Sequence, residues 1–219
     1  MKKLCFAVLA SLILIANLSA VDIFVSTTGS GDFSGRSWSN AINGGNYTVG
    51  LNVQNAITAA VANSATEVNV YFAGGTYTTT NQISIVSIKI PVKFSGGYLG
   101  TADNSFERSE SETVFKRVTY NIRFIRAASL PSLVIEGITF QGGYVSGGGA
   151  RGGAIYLDAS TTSISNCVFL SNGFQNTSKD SRNNSSTVSG GGAVGAVTSG
   201  SLTLDDCTFT GNRHVGGGT

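Results

Sequence analysis

Along the first twenty positions, polar residues are few. Lys2 and Lys3 lead into an apolar run from Leu4 to Leu18, which Leu18-Ser19-Ala20 closes with small side chains. A positive start, an apolar core and small closing residues make an export signal, residues 1–20, with cleavage expected after Ala20. The run is shorter than the ~20 residues that a membrane span needs, which weakens a reading as an anchor. No later segment reaches that length, so no transmembrane span is expected in the mature chain. Cys5 lies inside the run, far from the cleavage point, and does not look like a lipid-bearing cysteine.

Beyond Ala20 the pattern changes to short apolar stretches punctuated by Gly, Asn and Ser. Asp22 to Val25 reads as a strand, and residues 26–50 are rich in turn formers. One stretch has a helical period: Leu51, Val53, Ile57, Ala60 and Val61 share a face, leaving Asn52, Gln54 and Asn55 to the other side. This predicts a short amphipathic helix over Leu51 to Ala62. From Val68 the composition and alternation favour strands at Val68 to Phe72, Gly75 to Thr79, Ile83 to Ile90 and Val92 to Phe94.

The strongest pattern is an internal repeat. Aligned on Phe140, Phe169 and Phe209, three segments correspond: Leu133 to Phe140, Thr162 to Phe169 and Leu202 to Phe209. Three residues before each Phe stands Gly137, Asn166 or Asp206, and three after it stands Gly143, Asn172 or Asn212. These residue types tolerate positive φ, so each copy is expected to hold a short strand between two bends. Ile135, Ile164 and Leu204 share one inward column, while Ile138, Cys167 and Cys207 alternate with the Phe to make two more. A second element, Gly152-Gly153-Ala154-Ile155 and Gly191-Gly192-Ala193-Val194, precedes the last two copies. Strand, bend, strand, bend, strand, with like stacked on like, predicts an all-β parallel solenoid. Phe rings then pack along the axis, and Asn172 over Asn212 can form an amide ladder. A β-sandwich is the alternative, but its strands have no reason to repeat residues at aligned columns.

Gly-Gly-Ala-Ile followed by Phe-x-x-Asn resembles the repeat of the polymorphic outer-membrane proteins of chlamydiae, over about residues 140 to 219. Upstream, Phe24-Val25-Ser26, Ser37-Trp38 to Ala41, Gly74-Gly75-Thr76-Tyr77 and Gly96 to Thr101 are similar to the opening of secreted pectin-lyase-like proteins. The resemblance implies a right-handed single-stranded parallel β-helix whose first coil is capped by a helix, here Leu51 to Ala62, with residues 21–67 as cap region and 68–219 as coils, clearest at 132–219. The first copy departs from the pattern at Gly143 and is expected to be an entry coil. Phe spacings of 29 and 40 residues exceed a bare coil. The excess is assigned to loops, chiefly Gly173 to Ser189, a polar segment expected to project into solvent. The chain stops at Gly216-Gly217-Gly218-Thr219, where another Gly-Gly-Ala element would begin. It is therefore expected to be the C-terminally incomplete part of a longer protein, whose polymorphic relatives carry a C-terminal outer-membrane barrel.

Composition sharpens this picture. With 219 residues, 41% hydrophobic and 3 Cys, the chain is neither a disordered tail nor a disulfide scaffold. The formal charge is +2, and loss of Lys2 and Lys3 leaves 12 basic against 12 acidic residues, which gives no reason to expect a nucleic-acid partner. Candidate chemistry is sparse, and no catalytic residue, metal ligand or cofactor is assigned. Pectin-lyase-like enzymes cluster carboxylates on one outer sheet, whereas the one adjacent acidic pair here, Asp205-Asp206, falls at a bend. Glu107, Arg108, Glu110, Glu112, Lys116, Arg117, Arg123 and Arg126 form a mixed charged stretch, read as a solvated face or a surface for acidic glycan. His214 stands alone. Cys167 and Cys207, in one inward column of an exported protein, are compatible with a bridge or with two buried thiols. The expected function is that of an exported surface or secreted adhesin-like scaffold meeting a host-cell surface or glycan. The alternative is a polysaccharide lyase or glycoside hydrolase whose active site lies in further coils.

Overall fold

The computed structural model describes residues 19–45, 47–101, 105–119, 121–147, 150–176, 191–198 and 200–215. The expected export segment up to Leu18, most of the expected loop and the final four residues lie outside them. The first described elements are β1 (Ala20–Ser26), a short 3-10 turn (Trp38–Asn40), β2 (Ile42–Asn43) and α1 (Val49–Ala62). Then come β3 (Glu67–Ala73), β4 (Gly75–Thr79), β5 (Ile83–Val86), β6 (Val92–Tyr98), β7 (Thr113–Arg117) and β8 (Ile125–Ala128). Two four-stranded circuits follow: β9 (Leu133–Glu136), β10 (Ile138–Gln141), β11 (Tyr144–Gly147) and β12 (Ile155–Asp158), then β13 (Thr162–Ser165), β14 (Val168–Leu170), β15 (Gly173–Asn176) and β16 (Val194–Val197). The last described strands are β17 (Leu202–Asp205), β18 (Thr208–Thr210) and β19 (Arg213–Val215).

The fold is all-β apart from α1 and the 3-10 turn, and its ladders are parallel. One sheet runs β17-β13-β9-β6-β3-β1-β2, a second β18-β14-β10-β7-β4, a third β16-β12-β8-β5 and a fourth β11-β15-β19. From β3 onward sequence neighbours therefore fall in different sheets, and each strand pairs with its counterpart one circuit away. Register puts like on like. Tyr77, Phe115, Phe140, Phe169 and Phe209 are successive partners across the second sheet. On the first sheet the same holds for Ile23, Val70, Phe94, Ile135, Ile164 and Leu204. These columns, with Ile83, Ile125 and Ile155 from the third sheet, form one core. Members inside the stack are buried, whereas Leu204 and Phe209 at its last described strands are 46% and 45% exposed.

Helix α1 starts two residues earlier than the apolar period predicts and covers the other end of the core with Val49, Val53, Ile57 and Ala60. Leu51, assigned to that face from sequence, is exposed instead. The side chain of Asn52 donates to Asn43 O at 3.1 Å, and Gln54 Oε1 accepts the Ser84 N–H at 2.9 Å, so the polar face is anchored too.

Three expectations are corrected. The strand predicted over Ile83 to Ile90 ends at Val86, because Ser87 adopts φ 59° and turns the chain. Ile85 to Ile88 is a step of three, a break in the period of two. Gly137, Asn166 and Asp206 do occupy left-handed bends, at φ 65°, 51° and 47°, but the second bend belongs to Gly142, Ser171 and Gly211, at 73°, 51° and 65°. Gly143, Asn172 and Asn212 thus do not supply the positive φ. Finally, the expected loop does not begin at Gly173: residues 173–176 form β15, and Phe174 is fully buried.

Candidate functional site

The repeat residues occupy the frame. Gly152, Gly153, Ala154 and Ile155 lead into β12, and Gly191, Gly192, Ala193 and Val194 lead into β16. The two elements bond directly, Gly153 N–H to Gly192 O at 2.9 Å and Ala154 N–H to Ala193 O at 2.8 Å. A Cβ on Gly153 would lie 2.6 Å from Gly192 O and would also run into the backbone of Gly173 across the circuit. Only a residue without a side chain fits there. Asn172 is fully buried. Its Nδ2 donates to Phe140 O at 3.0 Å and to Asn212 Oδ1 at 2.9 Å, while its Oδ1 accepts the Gly143 N–H at 2.8 Å. Asn212 repeats the pattern with Phe169 O at 2.8 Å. At Gly143 an added Cβ would run into the Gly153 carbonyl oxygen and meet Phe124 Cε2 at 2.9 Å, so the Gly153 backbone and Phe124 together take the room that an Asn side chain would need. Cys167 and Cys207 are free thiols, their Sγ atoms 3.2 Å from Ser165 O and 3.3 Å from Asp205 O. Burial pushes the Cys167 thiol up to about 12.

The charged stretch between Glu107 and Arg126 is divided between two surfaces. The first lies where the first and second sheets meet. Gly97, at φ 81°, bends β6 just before its last residue, Tyr98, and the following segment returns through an antiparallel bridge between Tyr98 and Arg108. The Arg108 guanidinium donates to Gly96 O, lies 4.4 Å over the Tyr98 ring and reaches Glu136 Oε1 at 3.1 Å. Lys93 Nζ takes the other Glu136 oxygen at 3.2 Å, and Glu112 Oε2 accepts from the Thr139 hydroxyl at 3.2 Å. A groove of about 280 Å³ runs past Arg108, Glu110, Glu112, Gly137, Thr139 and Asn166. Beside it, Phe24, Trp38, Tyr71, Tyr98 and Phe106 make ring contacts with centroids 4.9 to 6.2 Å apart. Trp38 Nε1 is bonded to Ser105 O at 2.9 Å. Chemically this is a compensated surface. Both oxygens of Glu136 are held by cations, so the carboxylate is poorly placed to serve as a base.

The second surface carries the arginines. Arg117 lies 5.7 Å over the Tyr144 ring and Arg123 4.8 Å over Tyr156, while Arg126 projects from β8 on the outer face of the third sheet. Burial, then the nearby Arg126, lower the Arg123 pKa, and Tyr156 opposes them. Arg151, not singled out in the sequence, joins this surface. Its only clue was its place beside Gly152, and the tyrosines likewise had no readable motif, because cross-strand register was needed to bring them together.

The other candidates stay apart. Asp206 serves a bend, and Asp205 lies in register with Ser165, which pairs in turn with Glu136. The ring of His214 stacks on Phe174 at 4.4 Å. Among the described residues no three His, Cys, Asp or Glu side chains converge as metal ligands, and no helix is long and apolar enough to cross a membrane. Compared with models of protein families, with curated proteins and with solved structures, the chain matches none.

Proposed function

We propose that the chain is an exported surface or secreted protein built as a right-handed parallel β-helix with repeats of the polymorphic outer-membrane protein type. It acts as a non-enzymatic, adhesin-like scaffold that offers its outer faces and insertions to a host-cell surface or glycan. The observation that carries this reading is the register of like residues from circuit to circuit, broken by one shift between β3 and β6 at Tyr71 to Ala73. It supports a stiff rod whose coils bury their interior only against neighbours. Right-handedness follows the general rule for parallel crossovers. The connections between Gly147 and Gly152 and between Asn176 and Gly191 leave the same corner of successive circuits, so length added there costs the frame little. Export rests on Lys2, Lys3 and the Leu4 to Ala20 pattern.

The test is incubation of purified residues 21–219 with glycan-coated and cell-coated surfaces, with retention and new reducing ends measured together. Saturable retention without new reducing ends is expected. Reducing ends that vanish in Arg108→Ala would replace this reading with a polysaccharide lyase or hydrolase, and retention on no surface would remove adhesion.

A further inference from the structure

We propose that the outer face of the third sheet binds an acidic glycan, with Arg126 and Arg151 flanking Tyr156 as the anion contacts. The inference rests on the binding-scaffold reading above and names its ligand class. Across this face the outward positions Ser84, Arg126, Tyr156 and Gly195 are successive register partners. Arg123 caps the Tyr156 ring at 4.8 Å. At the fourth position the sheet carries no side chain: Arg151 Cβ lies 3.1 Å from where a Cβ on Gly195 would stand, and Arg151 Nε is buried without a hydrogen-bond partner. Arg126 and Arg151 therefore stand on either side of Tyr156, about 10 Å apart at two strand spacings, close to the length of one disaccharide.

Among the described residues no carboxylate is ion-paired with these cations. The two ion pairs among the described residues both use Glu136 on the first sheet. The nearest acid along the strand, Asp158, lies in register with Ala128 and Val197, not with Arg126. The Arg123 pKa is lowered first by burial and in smaller part by the neighbouring Arg126, a like-charge contact that a bound carboxylate or sulfate relieves.

The face continues into a groove of about 470 Å³ between α1 and β5. Val61, Val86 and Ile88 give it apolar surface, Gln54, Thr58 and Ser84 give hydrogen-bonding groups, and Arg126 closes one end. An apolar strip beside amide and hydroxyl groups suits a sugar ring, with its C–H face and hydroxyl rim. The basic end suits the acidic substituent. Nucleic acid fits less well, because Arg123 covers the aromatic ring on which a base would stack.

The experiment measures binding of residues 21–219 to a heparin oligosaccharide, with dextran as a neutral control and a single-stranded oligonucleotide of equal charge as a competitor. We expect saturable heparin binding that weakens with salt, no dextran binding and poor competition by the oligonucleotide. Arg126→Ala should weaken binding about tenfold, and adding Arg151→Gln about a hundredfold, each with an unchanged thermal midpoint. Arg126→Lys should recover only part of the loss, since a point charge lacks the guanidinium fork. Undiminished binding by the double variant, absence of heparin binding, or equal competition by the oligonucleotide overturns the inference. Cleavage of the oligosaccharide would instead overturn the underlying scaffold reading.

Discussion

Phe169 is stacked on Phe140 at 5.3 Å and on Phe209 at 4.7 Å, with its own side chain fully buried. Truncating it removes packing on both sides, so Phe169→Ala should cost roughly 3–5 kcal/mol in a urea titration. Phe209→Ala, at a half-exposed ring with one stacking partner, should cost clearly less, and equal losses would contradict axial stacking. The Tyr77 hydroxyl is the polar exception in the same column. It donates to Ala73 O at 2.8 Å and Val25 O at 3.0 Å, and burial raises its pKa. Burial also pushes Cys167 up to about 12, and burial together with Asp22 does the same to Tyr71. Their ordinary values are 9.0 and 10.0. Because the folded values are raised, the unfolded chain loses these protons first as pH rises. Stability should be constant with respect to these groups below about pH 8 and fall above about pH 9. Urea midpoints across that interval check it, and Tyr77→Phe should flatten the fall; an unchanged midpoint up to about pH 11 would reject the assignment.

At the scale of elements, α1 shows how far a periodic pattern carries. Its existence and the inward side chains Val53, Ile57 and Ala60 were readable from spacing, but Leu51 was not separable from them, since apolar spacing along one helix gives no indication of where the covered core ends. Ile57→Ala should therefore cost about 2–5 kcal/mol, while Leu51→Gln should stay within about 0.5 kcal/mol, both by thermal or urea unfolding. Comparable losses would mean that α1 does not sit on the stack by the face described. The strand columns of the last three circuits were legible because each copy sets its Phe at the same offsets from its flanking Gly, Asn or Asp residues. Tyr77 and Phe115 extend the aromatic column without that signature, as intervening segments of unequal length hide the period. A further set of left-handed bends, at Ser87, Ser129, Ala159 and Thr198, was invisible for a different reason. These residue types do not favour positive φ, and the stacked backbone imposes it on them.

The whole molecule separates frame from presented surface, and the corner between the fourth and third sheets is where the two meet. The polar stretch after Asn176 reads in sequence as one insertion beginning at Gly173. The structure instead assigns Gly173 to Asn176 to a strand between β11 and β19, with Phe174 packed on Val145 and His214. An excision beginning at Phe174 would thus remove a paired strand and unfold the last circuits. Deleting residues 178–187 leaves four residues between Asn176 and Gly191, as many as separate Gly147 from Gly152. That connection already closes the preceding circuit, so the shortened chain should keep its β-sheet circular dichroism and unfold within a few degrees of the intact protein. Phe174→Ala, which leaves the insertion whole, should by contrast lose roughly 3–5 kcal/mol. The same deletion apportions binding. If the arginine face is the glycan contact, the deleted chain should retain heparin with unchanged affinity. If retention on cells falls while heparin binding persists, the insertion contributes a separate contact. Loss of both in a protein that still unfolds cooperatively would move recognition from the third sheet to the insertion.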